Sequence, residues 1–511
     1  MPLLAAALLA ASSAAAGAHR HYEVHEATRL VPLLTEVLRF DTVAGHDRAH
    51  AAQKQWLRRV GEELGFVVRE AGPVTEVELP GPAGAPVLGL VIHGDVQPVE
   101  EKGWSAPPFA GVVRDGWVIG RGAADDKGPL VQALLAMRSL AQAVPRRTHT
   151  VRLLVGSDEE SGSTDFATYL AAHKAPDYSL VLDSGFPVVV GEKAWDALAV
   201  SAPPEPSPRP GAARFPFVVE SLEGGLAPSI VPDRARLVLR WRDGPAAWTD
   251  LLARLRARTP DQGTRLEAEE QGPVLALTVH GRAAHGGVNL AGGRNAIVSL
   301  ARLVDGELPS CSAADLLAFA LLAGKDLWGT GLGLVEETPL WGRYDVNVAT
   351  ISTGSTFAAA GHEKDLTLVV NLRRPPPLTG PQLRARLEDQ VRAFGERTGA
   401  RLATGGFWRD EPFGVPPDAK LVRRLLRDYE RASGRKDPLA ISGGGTYAKR
   451  IPNAVAFGMW FPGEPYPGHD TDEKVRLVDL HRGAHVLIEA LADLATHGKI
   501  DGPFSSPRTT R

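Results

Sequence analysis

Apolar residues recur at three- and four-residue spacing in TRLVPLLTEVLRFDTV (28–43), HAAQKQWLRRVGEELGF (50–66) and GPLVQALLAMRSLAQA (128–143). That spacing predicts helices. Between them lie apolar runs of strand length: VVREAGPVTEVEL (67–79), VLGLVI (87–92), HTVRLLV (149–155) and YSLVL (178–182). Strands alternating with helices predict an α/β unit with a mainly parallel sheet. Polar residues stand just past the strand ends: His93, then Glu159 and Glu160, then Asp183. In open α/β sheets that is where ligands bind.

The pattern changes near residue 200. SAPPEPSPRPGAARFP (201–216) is Pro-rich and reads as a surface excursion. Beyond it, alternating strands (ARLVLRW, VLALTVHG, LTLVVNLRR) are separated by helices (NAIVSLARLV, GPQLRARLEDQVRAFGERTG). This predicts an inserted α+β domain. The α/β character returns after about residue 400, with AKLVRRLLRDYERASG, the apolar strand NAVAFGMWF and the helix LVDLHRGAHVLIEALADLATHG. The expected boundaries are 19–190 and 401–498 for the two parts of the α/β domain, 191–400 for the insertion and 499–511 for a tail.

Composition narrows the chemistry. The 511 residues imply two or more domains, and 44% hydrophobic with 23% charged residues is ordinary for a globular chain. A formal charge of −3 gives no electrostatic reason for a nucleic-acid partner. The single cysteine, Cys311, rules out an internal disulfide and a thiolate metal cage, and reads as a small packing residue. Residues 1–18 run from an apolar stretch into an A-x-A pattern, as in a secretory signal peptide, although a basic n-region is missing. Export to the periplasm or medium is expected if that leader is real, and a cytoplasmic location otherwise. No later stretch has the length and apolarity of a membrane span.

The remaining candidates are histidines and carboxylates. In IHGDVQPV, His93 and Asp95 share a side of an extended segment, where a carboxylate can orient an imidazole. GRGAADDKGPL places Asp125 and Asp126 in a Gly-rich turn before a helix, which also suits an N-cap. It lacks the spacing of a phosphate loop. GSDEESG supplies Asp158, Glu159 and Glu160, LVLDSGFP supplies Asp183, and PYPGHDTDEK supplies His469. Oxygen and nitrogen donors without thiolate suit a hydrolytic zinc or manganese site.

In this order, H-x-D, G-R-G-x-x-D-D-K-G-P, D-E-E-S-G, D-x-x-F-P, G-G-G-T-Y and G-H resemble the M20 metallopeptidase family, closest to its PepV/Sapep-like dipeptidase branch. The motifs span about residues 30–495. The resemblance implies a di-metal α/β catalytic domain interrupted by an α+β lid. It implies two divalent ions, Zn²⁺ first with Mn²⁺ or Co²⁺ as alternatives. They would be held by His93, Asp125 as the bridge, Glu160, Asp183 and His469. Asp95 would orient His93, Glu159 would be the general base for a metal-bound hydroxide, and Asp158 would support the loop. VHGRAAHGG matches the lid segment, so His285 would donate to the oxyanion, with His280 a surface or packing residue. LVVNLRRPPP matches an N-x-R-Y-P segment, so Arg373 would hold the substrate carboxylate, with Arg374 in place of the aromatic. Ser229 stands where the family has a substrate-contacting Asn, and Gly445 and Thr446 of the GGGTY segment are further substrate-binding candidates. The implied activity is hydrolysis of dipeptides or short peptides by a monomer whose enlarged lid replaces a partner subunit. An N-acyl-amino-acid amidohydrolase is the close rival, and an inactive binding protein on the same scaffold is the distant one.

Overall fold

The computed structural model describes residues 14–99, 101–204, 214–258, 261–408, 411–464, 466–497 and 500. Most of the leader, the centre of the Pro-rich excursion and all of the tail but residue 500 lie outside the described residues. The chain separates into two compact units, one formed by Met1–Glu192 with Phe413–Arg511, the other by Lys193–Pro412.

The first unit is built on a nine-stranded sheet. At its centre Val87–His93 pairs in parallel with Thr150–Gly156 on one side and Tyr178–Val181 on the other. Ala454–Ala456 extends the parallel run beside Tyr178–Val181. The hairpin Val67–Ala71 and Val74–Leu79 closes one edge antiparallel. Alternation along Val87–His93 explains how the sheet is sandwiched: Leu88, Leu90 and Ile92 enter one core, while Val91 enters another with Leu154, Val181 and Phe166. Among the helices that fill the first core, Lys127–Ala143 and Leu477–Thr496 pack on each other. Truncating a fully buried leucine there, such as Leu153, typically costs about 2–5 kcal/mol.

Residues 14–21 are helical and continue through a π-helical turn at Tyr22–Glu26 into Ala27–Val37. Ala15, Ala18 and Tyr22 are buried in the first core. Among the described residues no helix is long and apolar enough to cross a membrane.

One predicted strand is broken. NAVAFGMWF folds as Ala454–Ala456 and Met459–Trp460, and the second piece pairs with Ser184–Gly185. The break falls at Gly458, where φ is +78° and a Cβ would lie 2.5 Å from the Phe186 ring. Only glycine suits that backbone at that distance.

The second unit is an eight-stranded antiparallel sheet. Its order runs Arg265–Gln271, Val274–His280, Arg234–Trp241, Phe217–Gly224, Asp345–Thr353, Leu366–Arg374, Ala194–Ala202 and Ala403–Trp408. Helices Ala296–Val304, Ser312–Ala323 and Gly380–Thr398 bury Leu300, Phe319 and Leu387 against sheet residues such as Leu237, Leu277 and Val370. The last helix starts with a reciprocal capping box between Thr379 and Gln382 and ends on left-handed Gly399, with φ 72°. Cys311 lies at the N-terminal boundary of Ser312–Ala323 and packs against this core.

Candidate metal centre

The parallel register sets His93 opposite Gly156, so the loop that follows Gly156 begins beside the imidazole. Val91 opposite Val181 brings Asp183 to the same edge. Asp125 arrives on the turn before Lys127–Ala143. Its Oδ1 lies 2.8 Å from His93 Nε2, and its Oδ2 lies 3.3 Å from His469 Nε2. His469 Nε2 is also 3.1 Å from Glu160 Oε1, and Asp183 Oδ2 is 3.9 Å from His93 Nε2. The donor atoms of His93, Asp125 and Glu160 all lie within 4.8 Å of one another, as do those of His93, Asp126 and Asp183.

Asp95 holds two segments. Its carboxylate accepts the backbone amides of Glu159 at 3.1 Å and Glu160 at 3.0 Å. His93 Nδ1 is 3.0 Å from the Asp95 carbonyl oxygen and 3.5 Å from its carboxylate, which leaves Nε2 directed at Asp125. Asp158 turns back into its own loop, accepting from Ser161 Oγ at 2.5 Å and from the amide and hydroxyl of Thr164.

The cluster carries more buried negative charge than its two imidazoles can balance. Burial and the charges of Asp125 and Asp126 push the Asp183 carboxyl well above its usual range. Burial opposes charge on His469, but Glu160 and Asp125 outweigh it and raise the imidazole to about 10. Asp126 Oδ1 is buried without a hydrogen-bond partner among the described residues. An excess of oxygen donors, an orphaned carboxylate oxygen and two converging imidazoles suit divalent ions of the zinc or manganese type.

Several contacts at this centre carried no sequence signal. Asp126 occupies the N-cap position yet makes no side-chain cap bond; its Oδ2 accepts the His93 amide at 3.2 Å instead. Tyr466 donates to Asp125 Oδ2 at 2.5 Å, and Gln97 donates to Glu160 Oε2 at 2.8 Å. Glu473 is fully buried, accepts the amides of Gly122, Ala124 and Asp125, and pairs with Arg121 at 2.6 Å. Thr446 directs its amide and hydroxyl to Glu192, at 3.1 and 2.6 Å. At Gly445 a Cβ would lie 3.1 Å from Lys449 Nζ. The neighbouring Tyr447 donates to Asp165, which also receives the amides of Ser157 and Asp158.

His285, Arg373 and Ser229 belong to the second unit. His285 Nδ1 accepts the amides of Gly287 at 2.9 Å and Val288 at 2.8 Å. That fixes the neutral tautomer with its proton on Nε2. Arg373 is buried, donates to Asn371 Oδ1 at 3.1 Å and reaches Ser229 Oγ at 3.2 Å, where Trp195 Nε1 also donates. Arg374 points elsewhere: it is buried in ion pairs with Asp196 at 2.8 Å and Glu411 at 2.6 Å. His280 is paired with Glu267 on the neighbouring strand at 2.9 Å.

A family model described as peptidase family M20/M25/M40 matches residues 89–493. The chain belongs to this family. It is therefore an M20-type peptidase, a hydrolase of a metal-dependent family. Among M20 relatives, the "Putative dipeptidase YtjP" of Bacillus subtilis (strain 168) is 29% identical over 450 residues, 86% of this chain and 89% of that protein. The β-Ala-Xaa dipeptidase of Lactobacillus delbrueckii subsp. lactis is 26% identical over 414 residues, 81% of this chain and 83% of that protein. The solved structure of the dipeptidase Dug1p from Saccharomyces cerevisiae shares the M20 fold, with a TM-score of 0.57 at 12% identity over 95% of this chain and 98% of that one.

Proposed function

We propose that this M20 peptidase is a dipeptidase using two divalent ions, Zn²⁺ in the first instance. The observation that carries the metal part is the position of Asp125, with one oxygen facing His93 and the other facing His469. One carboxylate so placed can serve two ions, one with His93 and Asp183 and the other with His469 and Glu160. Ions held there would polarise the peptide carbonyl and lower the pKa of an attacking water.

The chain's own residues then divide the work. Glu159 takes the proton from the attacking water and delivers it to the leaving amine. Asp95 fixes that base and the neighbouring ligand through their amides. His285 donates from Nε2 to the carbonyl oxygen as it gains charge. The Arg373 guanidinium receives the substrate's terminal carboxylate, with Ser229 beside it as a shorter contact than asparagine would give. Gly445 and Thr446 border the substrate's approach, with the Thr446 amide and hydroxyl both held by Glu192. In this reading Lys193–Pro412 acts as a lid, and the enzyme works as a monomer.

The names of the relatives favour a dipeptide over an N-acyl amino acid. A panel of dipeptides, each compared with its N-acetylated form and each assayed with and without chelator, tests both points. Metal-dependent cleavage of the free dipeptides at the higher kcat/KM is expected. Faster cleavage of the N-acetylated forms would make the enzyme an amidohydrolase, and full activity in preparations shown to be free of metal would overturn the metal assignment.

A further inference from the structure

Away from the metal centre, histidines gather on two helical segments of the first unit. His19 lies on the helical residues 14–21, and His481 and His485 lie on Leu477–Thr496. The rings of His19 and His485 meet with their Nδ1 atoms 2.8 Å apart. Each ring's other nitrogen faces a carboxylate. His19 Nε2 is 3.1 Å from Glu489 Oε2, and His485 Nε2 is 2.6 Å from Glu23 Oε1.

A carboxylate only accepts, so each of those Nε2 atoms carries the ring hydrogen. In the neutral rings both Nδ1 atoms then present lone pairs to one another, and a single added proton bridges them. Two lone pairs at that separation repel unless a cation lies between them. Imidazoles whose outer nitrogens are held by carboxylates, and whose inner nitrogens converge, have the form of metal ligands: the outer partner fixes the tautomer and raises the basicity of the inner nitrogen.

The surroundings keep the pair in place and leave it accessible. Tyr22 packs its edge against the His485 ring at 5.2 Å between centroids, and its hydroxyl lies 2.9 Å from His481 Nδ1, so His481 is engaged outside the pair. Arg431 pairs with Glu489 Oε1 at 3.2 Å and leaves Oε2 to His19. Each imidazole of the pair keeps 25% of its side-chain surface exposed. A cavity of about 390 Å³, lined by His19, His485, Glu489 and Arg431, opens over them and has room for water ligands.

We propose that His19 and His485 form an accessory site for an imidazole-preferring divalent ion such as Zn²⁺, Ni²⁺ or Cu²⁺. The ion takes the place of a shared proton, and the rings part to about 3.3 Å, the spacing of two tetrahedral ligands at roughly 2.0–2.1 Å from zinc. Water completes the shell. Such an ion clips the N-terminal helical segment to the C-terminal helix across 466 residues of sequence. With two protein ligands it exchanges far more readily than an ion held by four.

Equilibrium dialysis of the full chain against Zn²⁺, after its tighter sites are filled, tests the proposal by elemental counting. Wild type is expected to hold about one equivalent more than the double variant His19→Gln/His485→Gln, whose fold is checked by circular dichroism. Equal counts would overturn the site and leave a proton-bridged imidazole pair. A second measurement needs no substitution. Diethyl pyrocarbonate labelling of wild type, mapped by peptide mass spectrometry, should show His19 and His485 protected when Zn²⁺ is added. Labelling of both at an unchanged rate would also overturn the proposal.

Discussion

Glu473 accepts the backbone amide of Asp125 at 3.1 Å. The bond ties the turn that presents one candidate ligand to the loop that presents another, His469, 344 positions away in the chain (469 − 125). The same carboxylate pairs with buried Arg121, so loop geometry and charge balance depend on one side chain.

Removing that carboxylate leaves a buried guanidinium without its partner. Glu473→Ala is expected to cost about 3–5 kcal/mol of stability, the usual cost of breaking a buried pair. Denaturant unfolding measures it. Metal affinity, read by competition with a chromophoric chelator, should fall as well. A variant with wild-type stability would show that the clasp contributes nothing.

Glu159 and Glu160 are adjacent, yet their substitutions should separate. Glu159→Gln is expected to keep its metal content and lose several orders of magnitude in kcat. Glu160→Gln is expected to lose metal as well, because Glu160 faces His469 directly. Elemental analysis beside steady-state kinetics decides; the opposite metal contents would reverse the two roles.

A donor that acts only on the developing oxyanion alters kcat more than binding. His285→Ala should lower kcat on the order of 10²–10³-fold while product affinity stays close to wild type. Wild-type kcat in that variant would remove His285 from the reaction. Arg373→Ala should instead raise KM, and a substrate amidated at its C-terminus should reproduce that defect in the wild type.

Part of the pH dependence of the metal-free protein follows from His469, raised from 6.5 to about 10. His93, whose burial opposes charge but which Asp125 and Asp95 raise well above its usual value, adds to it with the same sign. A raised imidazole stabilises the fold fully below its unfolded value, and that contribution is lost as pH rises through the folded value. The chelated protein is therefore expected to melt at progressively lower temperature between about pH 6.5 and 10, and His469→Gln should flatten the curve. Metal affinity should rise across the same range, because the ligand nitrogen must first lose its proton. Differential scanning calorimetry with and without metal checks both signs.

Periodicity alone carried the central strands of the first sheet, because burial on both faces leaves continuous apolar runs such as VLGLVI and HTVRLLV; in the insertion it found Arg234–Trp241, Val274–His280 and Leu366–Arg374 but not their neighbours Phe217–Gly224 and Asp345–Thr353. It also put His93, Glu159, Glu160 and Asp183 at strand ends, where a parallel sheet gathers its loops. The ordered motifs named the family, since they record which side chains the chemistry requires. Other features depended on contacts far apart in the chain. Asp126 has the sequence of an N-cap, but its carboxylate takes the His93 amide, which only the sheet brings near. Tyr466 meets Asp125 across 341 residues, and Glu473 meets Arg121 across 352. Hydrogen bonds of that kind leave no period and no spacing in the sequence. The apolar run NAVAFGMWF continues through Gly458, and only the left-handed backbone and the nearness of Phe186 show why glycine stands at the break. Pattern along the chain determined the main folding segments and the side chains that are candidates for the chemistry; packing between distant segments decided which neighbours hold those side chains in place.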